Sequence, residues 1–291
     1  MNSRLRNIAS LLLLSFFFFS FSSPDPYASK LKGRVLKMTE TTYGIQVDSS
    51  GKMNEKWMHD SLITNYNSAM KPVSIEHFGG EGKEQYDIRR VEFHYLLDTL
   101  PVSTLFFTND RITDSLRVQF NTMRQEETAV HFQVKGNKTV RTFYSCKDGR
   151  LLSMCDLSEK GDTVRKTVYV YYASGKLKEE LFYRPGRNSP ALLLNSTTTY
   201  NYNTQGKVSA IQYVSGNFKT QSAFVYNENG DLQMVTDISS YGETISWYEY
   251  TYDEHGNWTK RLQYTEVHNR GAVAQEKQPV EVTRRKMEYA D

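Results

Sequence analysis

The sequence predicts an all-β protein: a long, curved antiparallel meander of about nine consecutive β-hairpin repeats, single-layered or partly wrapped. Three observations predict it. Tyr supplies 20 and Phe 15 of the 291 residues, and aromatic side chains suit a pleated, half-buried surface. No long stretch carries the i, i+3, i+4, i+7 apolar spacing of an amphipathic helix. Finally, an aromatic or apolar residue, a polar turn, a glycine and a second apolar residue recur along the chain, which is how a repeat architecture announces itself.

The clearest copy is Tyr248 to Tyr264, YEYTYDEHGNWTKRLQY. Tyr248, Tyr250 and Tyr252 alternate along a first strand and share one face. Asp253 to Asn257 form the turn: Asp folds its side chain back onto backbone N–H groups, and Gly256 takes the positive φ that a tight turn needs. Trp258, Leu262 and Tyr264 lie at even offsets on a second strand and are expected on one face. The same frame fits Val47-DSSGK-Met53, Tyr144-SCKDGR-Leu151, Tyr172-ASGK-Leu177, Tyr202-NTQGK-Val208 and Tyr226-NENGD-Leu232. Looser copies without the glycine start at Tyr66, Tyr95 and Phe120. After each turn the alternation continues, so Leu177, Glu179, Leu181 and Tyr183 are expected on one face, and Leu232, Met234, Thr236 and Ile238 likewise. A lone hairpin is marginally stable in water, so the hairpins should stack into one sheet that curves. Its open edges would be guarded by charge or paired between molecules.

Residues 1–23 read as a signal peptide. Arg4 and Arg6 make a basic start, Leu11 to Phe21 is an apolar run broken by two serines, and small residues precede Pro24. The remainder, 24–291, reads as one β-hairpin repeat domain, with degenerate repeats over 35–140 and clear ones over 140–291. The whole chain has 36 Lys and Arg against 33 Asp and Glu. Without Arg4 and Arg6 the balance is nearly neutral, which excludes the basic footprint of a nucleic-acid binder. Arg184 to Thr199, with Pro185, Gly186 and Pro190, is expected to be a long loop, and Val267 to Pro279 a second one. Glu281 to Tyr289 alternates again and is expected to close the sheet. Cys146 and Cys155 flank a turn; pairing 146 with 151 and 155 with 142 separates the thiols by roughly 13 Å, too far for a bridge. Both are expected to be free, with Cys155 on the packed face.

Candidate chemistry is sparse. The histidines, His59, His77, His94, His131, His255 and His268, have no metal-ligand spacing. The acidic turns, such as Asp253-Glu254, supply too few oxygens for a calcium site. No nucleophile motif or phosphate-binding glycine loop occurs. The expectation is therefore a non-enzyme with no cofactor and no metal. Tyrosine is the residue type most open to a functional reading, because it is amphipathic and enriched at binding surfaces. Tyr169, Tyr171, Tyr200, Tyr213 and Tyr250 form a candidate binding surface, set against the alternative that they pack across strands.

The Y-x-Y-x-Y-D-x-x-G-N-x-x-x-R pattern of Tyr248 to Arg261 resembles the YD repeats of the RHS family. The segment YYASGKLKEELFY, Tyr171 to Tyr183, resembles the repeats of antitoxin-type, MORN-like exported proteins. The resemblance covers roughly 140–275 well and 35–140 poorly. It implies hairpin geometry and carries no catalytic residues. RHS repeats wrap into a large shell around a toxin, for which this chain is too short. The functional expectation is a non-enzymatic exported scaffold that mediates protein contacts in a Gram-negative envelope, in the periplasm or at the cell surface. The alternative is a glycan- or peptidoglycan-binding module that uses a tyrosine face. No membrane-spanning segment is expected after signal cleavage. An outer-membrane barrel fits less well, because charges such as Glu55 and Glu179 interrupt the lipid-facing positions.

Overall fold

The computed structural model describes residues 30–79, 87–96, 100–108, 111–121, 126–135, 138–147, 150–158, 160–186, 189–269 and 275–290; the signal-peptide reading lies outside them. Among the described residues every regular element is a strand. The first six are β1 (Val35–Val47), β2 (Met53–Tyr66), β3 (Pro72–Gly79), β4 (Asp87–Leu96), β5 (Leu100–Thr108) and β6 (Arg111–Asn121). The next six are β7 (Glu126–Lys135), β8 (Lys138–Lys147), β9 (Arg150–Leu157), β10 (Thr163–Tyr171), β11 (Leu177–Gly186) and β12 (Ser189–Tyr202). The last six are β13 (Val208–Ser215), β14 (Phe218–Tyr226), β15 (Leu232–Ser239), β16 (Gly242–Tyr252), β17 (Trp258–Asn269) and β18 (Gln275–Tyr289).

Each strand pairs antiparallel with the next in sequence, so the sheet is a meander of hairpins. It has no free edge. β1 pairs with β2 on one side and with β18 on the other, from Val35 opposite Tyr289 to Gly44 opposite Glu281. The ladder therefore returns to its first strand, and the expected open edges are paired within the chain. At a strand spacing of about 4.8 Å, eighteen strands enclose a ring at least ~27 Å across, and strand tilt widens it further.

An up-and-down ring has two rims. One carries the turns after β2, β4, β6, β8, β10, β12, β14 and β16; the other carries the turns after the odd-numbered strands. Eight of the nine sequence anchors, from Tyr66 to Tyr252, fall at the first rim, here called the tyrosine rim. The anchor at Val47 falls at the opposite rim, because Asp48 to Lys52 is the turn after β1.

The turns at the tyrosine rim share one construction. The backbone N–H of the first turn residue donates to the carbonyl of the last: Tyr172 to Lys176, Asn203 to Lys207, Asn227 to Asp231 and Asp253 to Asn257, at 2.8–2.9 Å. The residue at the fourth position has positive φ: Gly175, Gly206, Gly230 and Gly256, at 77–85°. Asn and Asp recur at the first position because their side-chain oxygens accept further backbone N–H bonds, as Asp253 does from His255 and Asn257 at 3.0 and 2.9 Å. In the looser copy after Tyr66, Met70 occupies the glycine position at φ 58°.

Just past seven of these turns the second strand holds one extra residue. Tyr226 pairs with Leu232 while Val225 pairs with Met234, and the same step follows Tyr66, Tyr95, Cys146, Tyr171, Tyr202 and Tyr252. Such a bulge reverses which parity faces inward. It therefore corrects the expected faces. Leu177 joins Tyr171 on the packed face, whereas Glu179, Leu181 and Tyr183 turn to the other. Leu232 is 4% exposed and Ile238 45%. Trp258 likewise stands opposite Tyr252, apart from Leu262 and Tyr264, which face Glu249 and Trp247. The bulge also shifts the cysteine register: Cys146 still faces Leu151, but Phe143 faces Cys155. Cys155 is free, half-buried, and lies on the outward face opposite Lys166, not on the packed face.

The stretch from Arg184 to Thr199 is a hairpin, not a long loop: Arg184, Pro185 and Gly186 pair with Leu193, Leu192 and Ser189. Most of Val267 to Pro279 is also strand, with Val267 opposite Gln275. Glu281 to Tyr289 is the closing strand, as expected, and closes onto β1 as well as β17.

The ninth turn of the tyrosine rim is divided between the two ends of the chain. Tyr289 plays the anchoring tyrosine and Lys32-Gly33-Arg34-Val35 the second half of the motif. The bond from Ala290 N to Arg34 O, 2.9 Å, repeats the turn bond of the other units. Gly33 has φ 75°, Val35 is fully buried, and the register steps between Val35 and Lys37 as it does after every other bulged turn.

Candidate functional site

Burial concentrates on one face of the sheet, here called the inner wall, although Leu262 and Val282 are buried on the other. Leu177, Tyr200, Val208, Phe224, Leu232, Val235 and Tyr248 form its main cluster, with Tyr169, Tyr171, Tyr202, Tyr226 and Tyr250 packed against them. A smaller cluster joins Ile75, Val91 and Phe93.

At the tyrosine rim these rings bind one hairpin to the next. The hydroxyls of Tyr171, Tyr202, Tyr226 and Tyr250 donate to the carbonyls of Leu151, Leu177, Val208 and Leu232, each at 2.7 Å, and Tyr95 does the same to Pro72 at 2.8 Å. In every case the acceptor is the first or second residue of the second strand of the preceding hairpin. The residue after each turn glycine caps the next ring. Arg150 lies over Tyr171 at 5.9 Å, Lys176 over Tyr202 at 5.0 Å and Lys207 over Tyr226 at 4.8 Å. In the last two units a hydrogen bond replaces the cation: Tyr252 donates to Asp231 at 2.9 Å, and Asn257 donates to Tyr289 at 2.8 Å. Burial holds the phenols protonated, pushing Tyr95 and Tyr202 up to about 12 and raising Tyr169 and Tyr250 further.

Beyond this layer the inner wall becomes polar. Asp156, nearly buried, accepts from Thr142 at 2.8 Å and pairs with Arg165. Arg285, whose side chain is 8% exposed, pairs with Glu40 at 2.9 Å and lies 3.5 Å from the centre of the Trp258 ring. Arg261 reaches Thr283 at 3.2 Å, and Thr283 touches Thr42 at 3.1 Å. Asp60 pairs with His77. These partners close the ring across β17, β18, β1, β2 and β3. Among the described residues no group of three or more His, Cys, Asp and Glu converges as a metal ligand set.

The five candidate tyrosines share the inner wall. Tyr169 stands in one row with Glu180, Thr198, Tyr213 and Thr220 on five consecutive strands. Tyr200 is 5% exposed and donates to Glu180 at 2.9 Å. Tyr171 and Tyr250 are engaged through the hydroxyls described above, and Tyr213 packs edge-on against Phe218. Sequence reasoning missed Glu40, Arg285, Asp156 and Arg165. Glu40 and Arg285 are 245 residues apart, and no local pattern joins them. The outer wall is mixed: Lys277 lies 4.9 and 4.7 Å from the Trp247 and Tyr264 rings, and Arg284 pairs with Glu55.

The class these features define is an eighteen-stranded antiparallel meander whose last strand pairs with its first. No family model and no curated protein matches the chain. Among solved structures it is similar to a porin-like protein from Bacteroides uniformis, at 12% identity and a TM-score of 0.47, over 90% of this chain and all of that one. A porin-like protein from Bacteroides vulgatus aligns at 10% identity and a TM-score of 0.23, over 88% of this chain and 99% of that one. A Pseudomonas aeruginosa MucA/MucB complex gives 8% and 0.14, over 87% and 94%.

Proposed function

We propose that this protein is a non-enzymatic, exported β-repeat scaffold of YD-repeat type that holds a protein partner in the envelope of a Gram-negative bacterium. The observation that supports this reading is the use made of the tyrosines. Tyr171, Tyr202, Tyr226 and Tyr250 spend their hydroxyls on neighbouring hairpins, and Arg150, Lys176 and Lys207 cap three of the same rings. Groups that would grip a ligand are thus committed to holding the frame, which suits a rigid support. The reading assigns the chain no catalysis, cofactor or metal.

The test combines affinity capture from envelope extract with a glycan array. A single stoichiometric protein partner supports the scaffold. Tight sugar binding that Tyr213→Ala abolishes, with no protein partner, replaces it by the glycan-binding alternative.

A further inference from the structure

Every neighbouring pair of described strands is joined by a short connection except β18 and β1. Across that seam the Thr42 and Thr283 hydroxyls touch at 3.1 Å, yet the two residues are 241 apart in sequence. The difference matters when strands part. Two strands of a hairpin stay tied by their turn, so separating them releases little chain freedom and they soon re-pair. At the seam no turn limits the separation, and the freedom released grows with the length of chain between the partners.

At the tyrosine rim the seam is held by one buried side chain. Asn257, 4% exposed, spends its amide on the backbone of Lys32. The Lys32 N–H donates to Asn257 Oδ1 at 2.7 Å, and Asn257 Nδ2 donates to the Lys32 carbonyl at 2.7 Å. The same Nδ2 reaches the Tyr289 hydroxyl at 2.8 Å, and that hydroxyl donates to Asp253. The side chain thus does for Lys32 what a neighbouring strand's backbone would do. Gly33 lies close against the same rings: a Cβ there would stand 3.4 Å from Tyr289 and 3.7 Å from His255 Nδ1. Its φ of 75° is one that glycine alone adopts freely. The equivalent position one turn earlier is Asp231, which binds the Tyr252 hydroxyl, but there the chain runs on unbroken from one unit to the next.

We propose that the β1–β18 seam is a gate: the ring opens there and between no other pair, and Lys32–Val35 is the strap that latches it onto Asn257. Opening unpairs β1 from β18 and leaves one continuous meander with two free edges. Docking of the strap restores the ninth turn. The device is independent of whether the protein holds a protein or a glycan, because none of the five candidate tyrosines belongs to it.

The experiment is thiol labelling of the folded chain in a Cys146→Ser/Cys155→Ser background. Thr283→Cys reports on the seam, and Ser246→Cys, whose neighbours are β15 and β17, reports on hairpin pairs. The two positions are 4% and 9% exposed, so a reagent reaches either one only when strands part. Each reporter is combined with Asn257→Ala, with Gly33→Val, or with Asp231→Ala, which removes the equivalent tyrosine cap within the continuous chain. Asn257→Ala keeps its own turn, whose bond runs from Asp253 N to the Asn257 carbonyl. Asn257→Ala and Gly33→Val, acting from opposite sides of the latch, should each speed labelling of Thr283→Cys by about tenfold or more and leave Ser246→Cys within about twofold, since each hydrogen bond lost shifts the opening equilibrium several-fold. Asp231→Ala should leave Thr283→Cys unchanged. Hydrogen-exchange mass spectrometry of Asn257→Ala checks the same opening without reporter cysteines: β1 and β18 should lose protection while β14 and β15 keep it. Unchanged labelling of Thr283→Cys in Asn257→Ala overturns the gate. Equal acceleration at both reporters, or a uniform loss of protection, also overturns it and makes the opening a general unfolding of the sheet.

Discussion

Removing the hydroxyl of Tyr202 isolates the bond that repeats around the tyrosine rim. Tyr202→Phe keeps the ring, its burial and its contact with Lys176, and deletes only the donor to Leu177 O. A neutral hydrogen bond contributes a net ~1 kcal/mol, and a buried carbonyl left without its donor costs somewhat more. Each of Tyr171→Phe, Tyr202→Phe, Tyr226→Phe and Tyr250→Phe should therefore lower stability by about 1–1.5 kcal/mol. The sites lie on different hairpins, so their effects should add to within roughly 0.5 kcal/mol. The quadruple variant should then lose about 4–6 kcal/mol, a large part of the 5–15 kcal/mol typical of a folded domain. Urea unfolding measures this as a fall in midpoint at constant slope. Tyr213→Phe is the control: the described residues supply its hydroxyl with no partner, and its loss should cost under about 0.5 kcal/mol. If the four variants match that control, the tyrosines are spacers and the account of how hairpins are joined is wrong.

Ring closure should depend on Glu40 and Arg285. Removing either from a mostly buried pair should cost about 3–5 kcal/mol, while Glu40→Leu/Arg285→Leu should lose clearly less than the sum, which a double-mutant cycle in urea reads directly. Met70→Gly should stabilise by about 0.5–1 kcal/mol, since φ 58° strains a side chain that glycine lacks; a raised melting temperature is the readout. Tyr66, Tyr95 and Tyr202, pushed up to about 12 by burial, keep their protons in the folded state after the unfolded chain, near 10, has lost them. The stability they contribute is full below pH ~10 and is lost as pH rises to ~12, measurable by phenolate absorbance alongside melting. Asp48 is lowered to about 2 by hydrogen bonds, led by that from the Ser50 hydroxyl. Its contribution is full above about pH 4 and disappears as pH falls to ~2, which the carboxyl chemical shift should follow.

The hairpins, and where most of them turn, are legible in the residues alone. Asp253, Asn227 and Asn203 cap their own turns and Gly256, Gly230 and Gly206 supply the left-handed residue, all within five residues, so the signal is local. It did not determine which side chains meet. A single bulge past the turn moved Leu177 and Trp258 to the opposite face from the one their alternation indicated, and a bulge is an extra residue that only the pairing partner reveals. Pro185 and Pro190 read as breakers but lie in a hairpin, because antiparallel pairing at a hairpin end leaves room for residues that donate no bond. Closure of the sheet emerges only from the complete strand pairing. Lys32 to Val35 and Tyr289 to Ala290 are each too short to register as a repeat, and they become one turn when curvature accumulated over eighteen strands brings the two ends of the chain together.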